Sequence, residues 1–263
     1  MLRKRIIFTL IYSDGFFNQS RNFRLQKVGD IRWLERNYKF QKIAFSLDEL
    51  VVLNASKSDK DMTKFANTLS ELVDDVFIPI AAGGGIRSLE DAGMLFANGA
   101  DKIVLNSTLY TDKGLVQKLV KKYGSQSIVA SIDHIAQDVF ISNGTQKIDV
   151  CLDDYIKHIE QLHVGEVYLN SIEKDGTGFG YDISFIESVS ESIATPLIIA
   201  GGAGNEKHLI EGLKVEKVNA VATANLFNFI GDGLPNARVK ALESNCNLAN
   251  WQIETKHITE VTI

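Results

Sequence analysis

Cysteine and proline are scarce in this 263-residue chain, and no apolar run is long. Two cysteines, Cys151 and Cys246, make a disulfide framework improbable and suit a reducing, cytoplasmic setting. Three prolines leave no stiff linker, and no Ser/Gly tract supplies a flexible one. Nothing approaches the roughly 18–20 apolar residues of a membrane span, and the apolar run inside MLRKRIIFTLIYSDG is too short and too soon broken for a signal peptide. An excess of positive charge is missing too. With 28 Lys and Arg against 33 Asp and Glu, the net charge of −5 argues against a general nucleic-acid binder, while leaving room for a local basic pocket. What is present is 45% hydrophobic and 23% charged residues, the make-up of a soluble globular protein. The length fits one or two domains of about 100–200 residues, or a single α/β barrel.

Short β-branched apolar runs alternate with helix-period segments. The spacing predicts strands at Arg5–Leu10, Glu49–Leu53, Ile78–Ala82, Lys102–Leu105, Ile128–Ile132, Glu166–Asn170, Pro196–Ala200 and Ala220–Ala222. It predicts helices at Lys60–Val73, Leu89–Ala97, Lys113–Tyr123, Leu152–Leu162, Ile183–Ser192 and Glu206–Lys214. Strands apolar on both faces and alternating with helices are those of a parallel sheet under a helical layer. Eight units of about 33 residues match a (β/α)8 TIM barrel. Asp138–Val150, alternating around Asn143-Gly144, reads as one β-hairpin inserted after strand five.

An internal repeat sharpens the architecture. IPIAAGGGI (Ile78–Ile86) returns as TPLIIAGGA (Thr195–Ala203) at an offset of 117, which also lays ELVVLN (Glu49–Asn54) on EVYLNS (Glu166–Ser171). An offset of 118 lays ADKIVLNS (Ala100–Ser107) on VNAVATAN (Val218–Asn225). RIIFTLI aligns loosely with IVASID, setting Ile11 opposite Asp133. The expectation is one barrel over residues 1–242, built from similar halves of about 1–122 and 123–242, followed by a tail at 243–263.

Reactive groups in such barrels stand just past the C-terminal strand ends. Gly84 and Gly85 with Asn106 and Ser107, and Gly201 and Gly202 with Asn225, form symmetric corners there. They serve either as tight turns or as cradles for the two phosphates of an elongated, phosphorylated small molecule. Asp133 and Asp175 stand at strand ends, either as turn residues or as a general acid and base; Gly176 follows in the same turn. Where symmetry calls for a partner to Asp133 the chain has Ile11, and Asp14 is the nearest carboxylate. Arg5, Glu49, Lys102 and Glu166 open strands at the opposite end, as a structural salt-bridge plug or as a gate for a small molecule. No pair of histidines has metal-ligand spacing with a third donor, so neither metal nor cofactor is expected.

The motifs MLRKRII, AAGGGIRSLEDA, GADKIVLNS, SIDH, SIEKDGTGFGYD and AGGAG together resemble the HisF family, the cyclase subunits of imidazole glycerol phosphate synthase, from Met1 to about Phe229. The resemblance implies a lyase subunit of a glutamine amidotransferase complex in histidine biosynthesis, in which a HisH-like glutaminase docks on the barrel floor. Ammonia then crosses the barrel to a bisphosphate ribonucleotide. It implies an ammonia gate at Arg5, Glu49, Lys102 and Glu166, a docking aspartate at Asp101, catalytic roles for Asp133 and Asp175, and phosphate sites at the two corners. The chain departs from the family's pattern at the mouth. The other essential aspartate falls on Ile11, the mobile-loop lysine on Gln19, an aspartate on Asn54, and phosphate-site serines on Ala200 and Asn225. An isoleucine transfers no proton, a step worth about 10²–10⁴-fold. Divergent members of this kind occur with glutaminase-like partners in surface-polysaccharide clusters, including lipopolysaccharide biosynthesis, supplying ammonia to a separate sugar amidotransferase that forms acetamidino groups. That role is the leading expectation. The alternatives are an ordinary histidine-pathway cyclase with a relocated acid such as Asp14, and a non-catalytic barrel scaffold.

Overall fold

A computed structural model describes residues 3–38, 43, 45–57 and 61–250. Eight parallel strands close into a barrel: β1 (Arg5–Ser13), β4 (Glu49–Asn54), β5 (Ile80–Gly83), β6 (Lys102–Leu105), β7 (Ile128–Ile135), β10 (Glu166–Ser171), β11 (Leu197–Ala200) and β12 (Val218–Thr223), with β12 returning to β1. This is the (β/α)8 barrel that the spacing predicts. The period-2 pattern of β1 shows why it closes: Ile6, Phe8 and Leu10 belong to the layer packed under the helices, while Ile7 belongs to the barrel interior. Helices follow the strands at α1 (Ile31–Tyr38), α2 (Met62–Asp75), α3 (Leu89–Ala97), α4 (Ser107–Thr111), α5 (Lys113–Tyr123), α6 (Leu152–Glu160), α7 (Ile183–Ser190), α8 (Glu206–Lys214) and α9 (Gly233–Glu243). Their starts are set by side-chain caps: Asp61, Ser88, Asp112, Asp182 and Asn205 each accept a backbone N–H from the first turn. His134, on the outer face of β7, stacks on Phe185 of α7 with ring centroids 4.8 Å apart.

The hairpin expected after strand five is present as β8 (Asp138–Ile141) and β9 (Gln146–Cys151). It has a counterpart. After strand one, β2 (Phe16–Arg21) pairs with β3 (Arg24–Gly29), and both hairpins begin 122 residues apart, the offset that relates Ile11 to Asp133. The first escapes a sequence reading because its two-residue turn is Asn22-Phe23, with both residues at positive φ (+50° and +61°), where Asn-Gly is the usual signal. α1, α4 and α9 are also absent from the sequence expectation.

The repeat survives at the level of atoms. Gly84 (φ +101°) and Gly201 (φ +91°) occupy equivalent turns, and a Cβ on either would strike a carbonyl oxygen, of Asn54 at 2.2 Å or of Ser171 at 2.5 Å. Only glycine fits there. At the other end, Asp101 accepts the Ile80 N–H at 2.8 Å, and its equivalent Asn219 accepts the Leu197 N–H at 2.9 Å.

The part of the expected tail up to Asn250 packs against the barrel. Lys4 N–H donates to the Asn247 carbonyl at 2.7 Å, and Arg238 of α9 joins the Asp48 carboxylate to the Ala249 carbonyl. Residues 251–263, including Val261-Thr262-Ile263, lie outside the described residues.

Candidate active site and barrel floor

At the N-terminal end of the strands the four predicted floor charges meet in a closed square. Arg5 bonds Glu49 at 2.5 Å and also Glu166, while Lys102 bonds Glu49 at 2.9 Å and Glu166 at 2.7 Å. Each carboxylate thus bridges both cations, the pairing that buried charge requires. Glu49 is buried, which pushes its carboxyl pKa up against the opposing pull of Lys102 and Arg5, and its Oε1 has no hydrogen-bond partner. Asp101 is exposed beside this floor, with Oδ2 engaged by Ile80 N–H.

Above the square the interior is apolar: Ile7, Val51, Ala81, Val104, Val129, Ile198, Ala220 and Ala222 pack together with Tyr168. The Tyr168 hydroxyl meets Thr9 Oγ1 at 2.9 Å.

At the C-terminal strand ends a cavity of about 700 Å³ opens. Asp133, Asp175, Gly84, Gly85, Asn106, Ser107, Gly176, Gly201, Gly202 and Asn225 all line it, as do Ile11, Gln19, Asn54 and Ala200. Asp14 does not. It is exposed at the start of the first hairpin and hydrogen-bonded by Ser13, so a relocated acid at that position finds no support.

Asp133 is 8% exposed, with an amide on each oxygen: Asn170 Nδ2 to Oδ1 at 3.1 Å and Asn106 Nδ2 to Oδ2 at 3.2 Å. Burial pushes its pKa up to about 7; the Asn170 amide pulls it down and the charge of Asp175 adds to the rise. A carboxyl poised there can hold or release a proton near neutral pH. Asp175 has other partners. Its carboxylate accepts from Ser20 Oγ and from Phe23 N–H at 3.0 Å, and its carbonyl accepts Asn22 N–H at 2.9 Å. Burial raises the Asp175 pKa, which these two side-chain and backbone donors oppose. Asp175 thus lines the cavity with Asp133 and also latches the first hairpin onto the loop after β10.

The two hairpins roof the mouth in related ways. Asn22 Nδ2 donates to the Ile172 carbonyl at 3.1 Å, and Asn143 Nδ2 donates to the Ala55 carbonyl at 3.3 Å; the two acceptors are equivalent under the 117-residue repeat, and both donors stand at hairpin turns. They meet in the middle, where a Cβ on Gly144 would lie 2.5 Å from the Phe23 ring.

The model of the histidine biosynthesis protein family matches residues 20–231. An imidazole glycerol phosphate synthase subunit hisF2, so named provisionally, from Parasynechococcus marenigrum (strain WH8102) is 45% identical over 258 residues, 96% of this chain and 96% of its own length. The HisF subunit of imidazole glycerol phosphate synthase from Hydrogenobaculum sp. (strain Y04AAS1) is 34% identical over 254 residues, covering 94% of this chain and 99% of its own. That from Exiguobacterium sp. (strain ATCC BAA-1283 / AT1b) is 35% identical over 233 residues, covering 87% and 89%. The chain belongs to the HisF family. The similarity runs well past Phe229, where the motifs alone give out.

Within this HisF-family barrel the two halves of the mouth differ sharply. Asp133 pairs across the sheet with Asn170; the repeat sets Ile11 and Leu53 at those positions, and these are also register partners on neighbouring strands. The second amide on Asp133, from Asn106, has Ala224 as its equivalent. A carboxyl held by one amide from each half therefore corresponds, at the equivalent positions across the mouth, to three apolar side chains. Asn170, Ser20 and the hairpin that carries Ser20 are site features that sequence reasoning missed. The repeat offset applied to the second hairpin would have found the hairpin.

Proposed function

We propose that this barrel takes up ammonia released by a HisH-like glutaminase docked on its floor and passes it to a separate amidotransferase. That enzyme forms an acetamidino group on a surface-polysaccharide sugar. The observation that carries the reading is the contrast between a complete charge square at the floor and an acid constellation present on one side of the mouth only. Two cations and two anions held in a square, with the apolar interior directly above, favour passage of neutral ammonia; an ammonium ion there would sit without a counter-charge. Asp101, exposed beside the square, is the docking residue on this account. At the mouth, Ile11 and Leu53 can neither accept nor donate a proton, so the family's cyclase step lacks one of its two acids.

The test uses the full chain with a HisH-type glutaminase and measures glutamate and ammonia release. Addition of the barrel should raise glutamine hydrolysis. Lys102→Ala should break the link between hydrolysis and ammonia appearing at the mouth side, and unchanged coupling would reduce the square to a plug in a scaffold.

The second reading is the ordinary imidazole glycerol phosphate synthase reaction. It draws support from relatives named for that enzyme that align over nearly their whole length, and from Asp133 with its pKa near 7. Expression in a histidine auxotroph lacking its own HisF separates the two. The proposal expects no growth without histidine, and growth would overturn it.

A further inference from the structure

The two glycine corners share one backbone plan, yet their donor groups are not equally open. At the second-half corner the N–H groups that follow Asn225 are taken up by the chain itself. Leu226 N–H donates to Gln19 Oε1 at 2.8 Å. Phe227 and Asn228 N–H both donate to Asn225 Oδ1, at 3.2 and 3.0 Å. Gln19 stands on the first hairpin, which Asp175 latches over this corner, so its amide oxygen arrives from 207 residues away in sequence. An amide oxygen at that distance occupies an N–H as a phosphate oxygen would.

The first-half corner is built differently. Thr108 is the equivalent of Leu226, and no side chain accepts the backbone N–H of Ser107 or Thr108 among the described residues. The second hairpin reaches this corner too, but through its backbone: Ser142 N–H donates to Ser107 Oγ at 3.1 Å, which leaves the backbone donors alone. Gly84 and Gly85 keep their positive φ angles beside it.

We propose that Gln19 is a specificity-determining residue that fills the second corner with its own amide oxygen. The cavity then takes a ligand carrying one phosphate, held at the first-half corner. This rests on the reading of the corners as phosphate sites and deepens it. A lysine at position 19 would bring a positive charge to a second phosphate, whereas glutamine brings an acceptor that competes with it.

The experiment is calorimetric titration of the full chain, and of Gln19→Ala and Gln19→Glu, with ribose 5-phosphate and with ribulose 1,5-bisphosphate. The unaltered protein should bind the two ligands with Kd values within about threefold of each other. Gln19→Ala frees Leu226 N–H and should tighten bisphosphate binding by about tenfold, the usual effect of one charge-assisted hydrogen bond, with the monophosphate unchanged. Gln19→Glu keeps the N–H occupied and should not tighten it. In amide spectra of the unaltered protein, ribose 5-phosphate should shift Thr108 and leave Leu226 in place. A bisphosphate preference of tenfold or more in the unaltered protein, or no gain in Gln19→Ala, overturns the role of Gln19. Failure of both ligands to bind any of the three proteins overturns the phosphate reading and this inference with it, while the ammonia route, read by Lys102→Ala, stands or falls separately.

Discussion

At the floor, three of the four charges in the square, Arg5, Glu49 and Lys102, come from the first half of the chain, and Glu166 alone comes from the second. At the mouth the balance reverses. Both carboxylates, Asp133 and Asp175, come from the second half, and the repeat positions of Asp133 and its two amides are the apolar Ile11, Leu53 and Ala224. A barrel of two similar halves has therefore specialised each half at a different end. The repeat fixes the backbone at both ends, as the equivalent turns at Gly84 and Gly201 and the equivalent caps at Asp101 and Asn219 demonstrate. Chemistry is decided side chain by side chain on that shared frame.

The sharpest way to stress the contrast is to damage the floor. Arg5→Ala leaves buried Glu49 with Lys102 as its remaining cation, and should lower stability by about 3 kcal/mol in urea unfolding. A change under about 0.5 kcal/mol would mean the square stabilises little and the two ends are alike in that respect. At the mouth the corresponding change should go the other way. The Asp133 pKa is raised in the fold, from 3.8 to about 7, so the carboxyl costs nothing below pH 4, and its cost grows as pH rises to about 7. Asp133→Asn should accordingly leave the melting temperature unaltered at pH 4 and raise stability by a few kcal/mol at pH 8. Equal melting curves at both pH values would remove the buried-acid description of the second half.

The smallest effect belongs to the latch. Asp175→Ala removes the acceptor of Ser20 Oγ and Phe23 N–H, a local loss of about 1 kcal/mol. Hydrogen exchange should speed up by about fivefold at Asn22 and Phe23, with the barrel strands unmoved. Uniform acceleration across the strands would show that the first hairpin is part of the core rather than a roof fastened at Asp175.

The barrel was legible in the chain because its signals are periodic and repeated. Eight apolar runs and two glycine corners recur at fixed offsets, and the floor charges open their strands where a ring can close. Apart from Asp14, every mouth residue read from the sequence lines the cavity described above. What could not be read depends on contacts between distant loops. The first hairpin turns at Asn22-Phe23, whose positive φ angles are held by the loop of Asp175, more than 150 residues away. The same long-range contact gives Asp175 its second part, as a latch. Asn170 looks like an ordinary strand-end amide until the register sets it beside Asp133. Gln19 reads as a departure in a loop, and only the folded chain brings its oxygen to Leu226.

The claim on which the account turns is that this barrel keeps the floor of a HisF subunit and has lost one acid of its mouth. It is tested most directly by turnover of the family's bisphosphate ribonucleotide with ammonium salt, which bypasses any glutaminase, run beside the Hydrogenobaculum HisF subunit in the same assay. The account predicts a rate at least 10²-fold below that relative, the typical worth of a lost acid–base group. Turnover at a rate equal to the relative would contradict it.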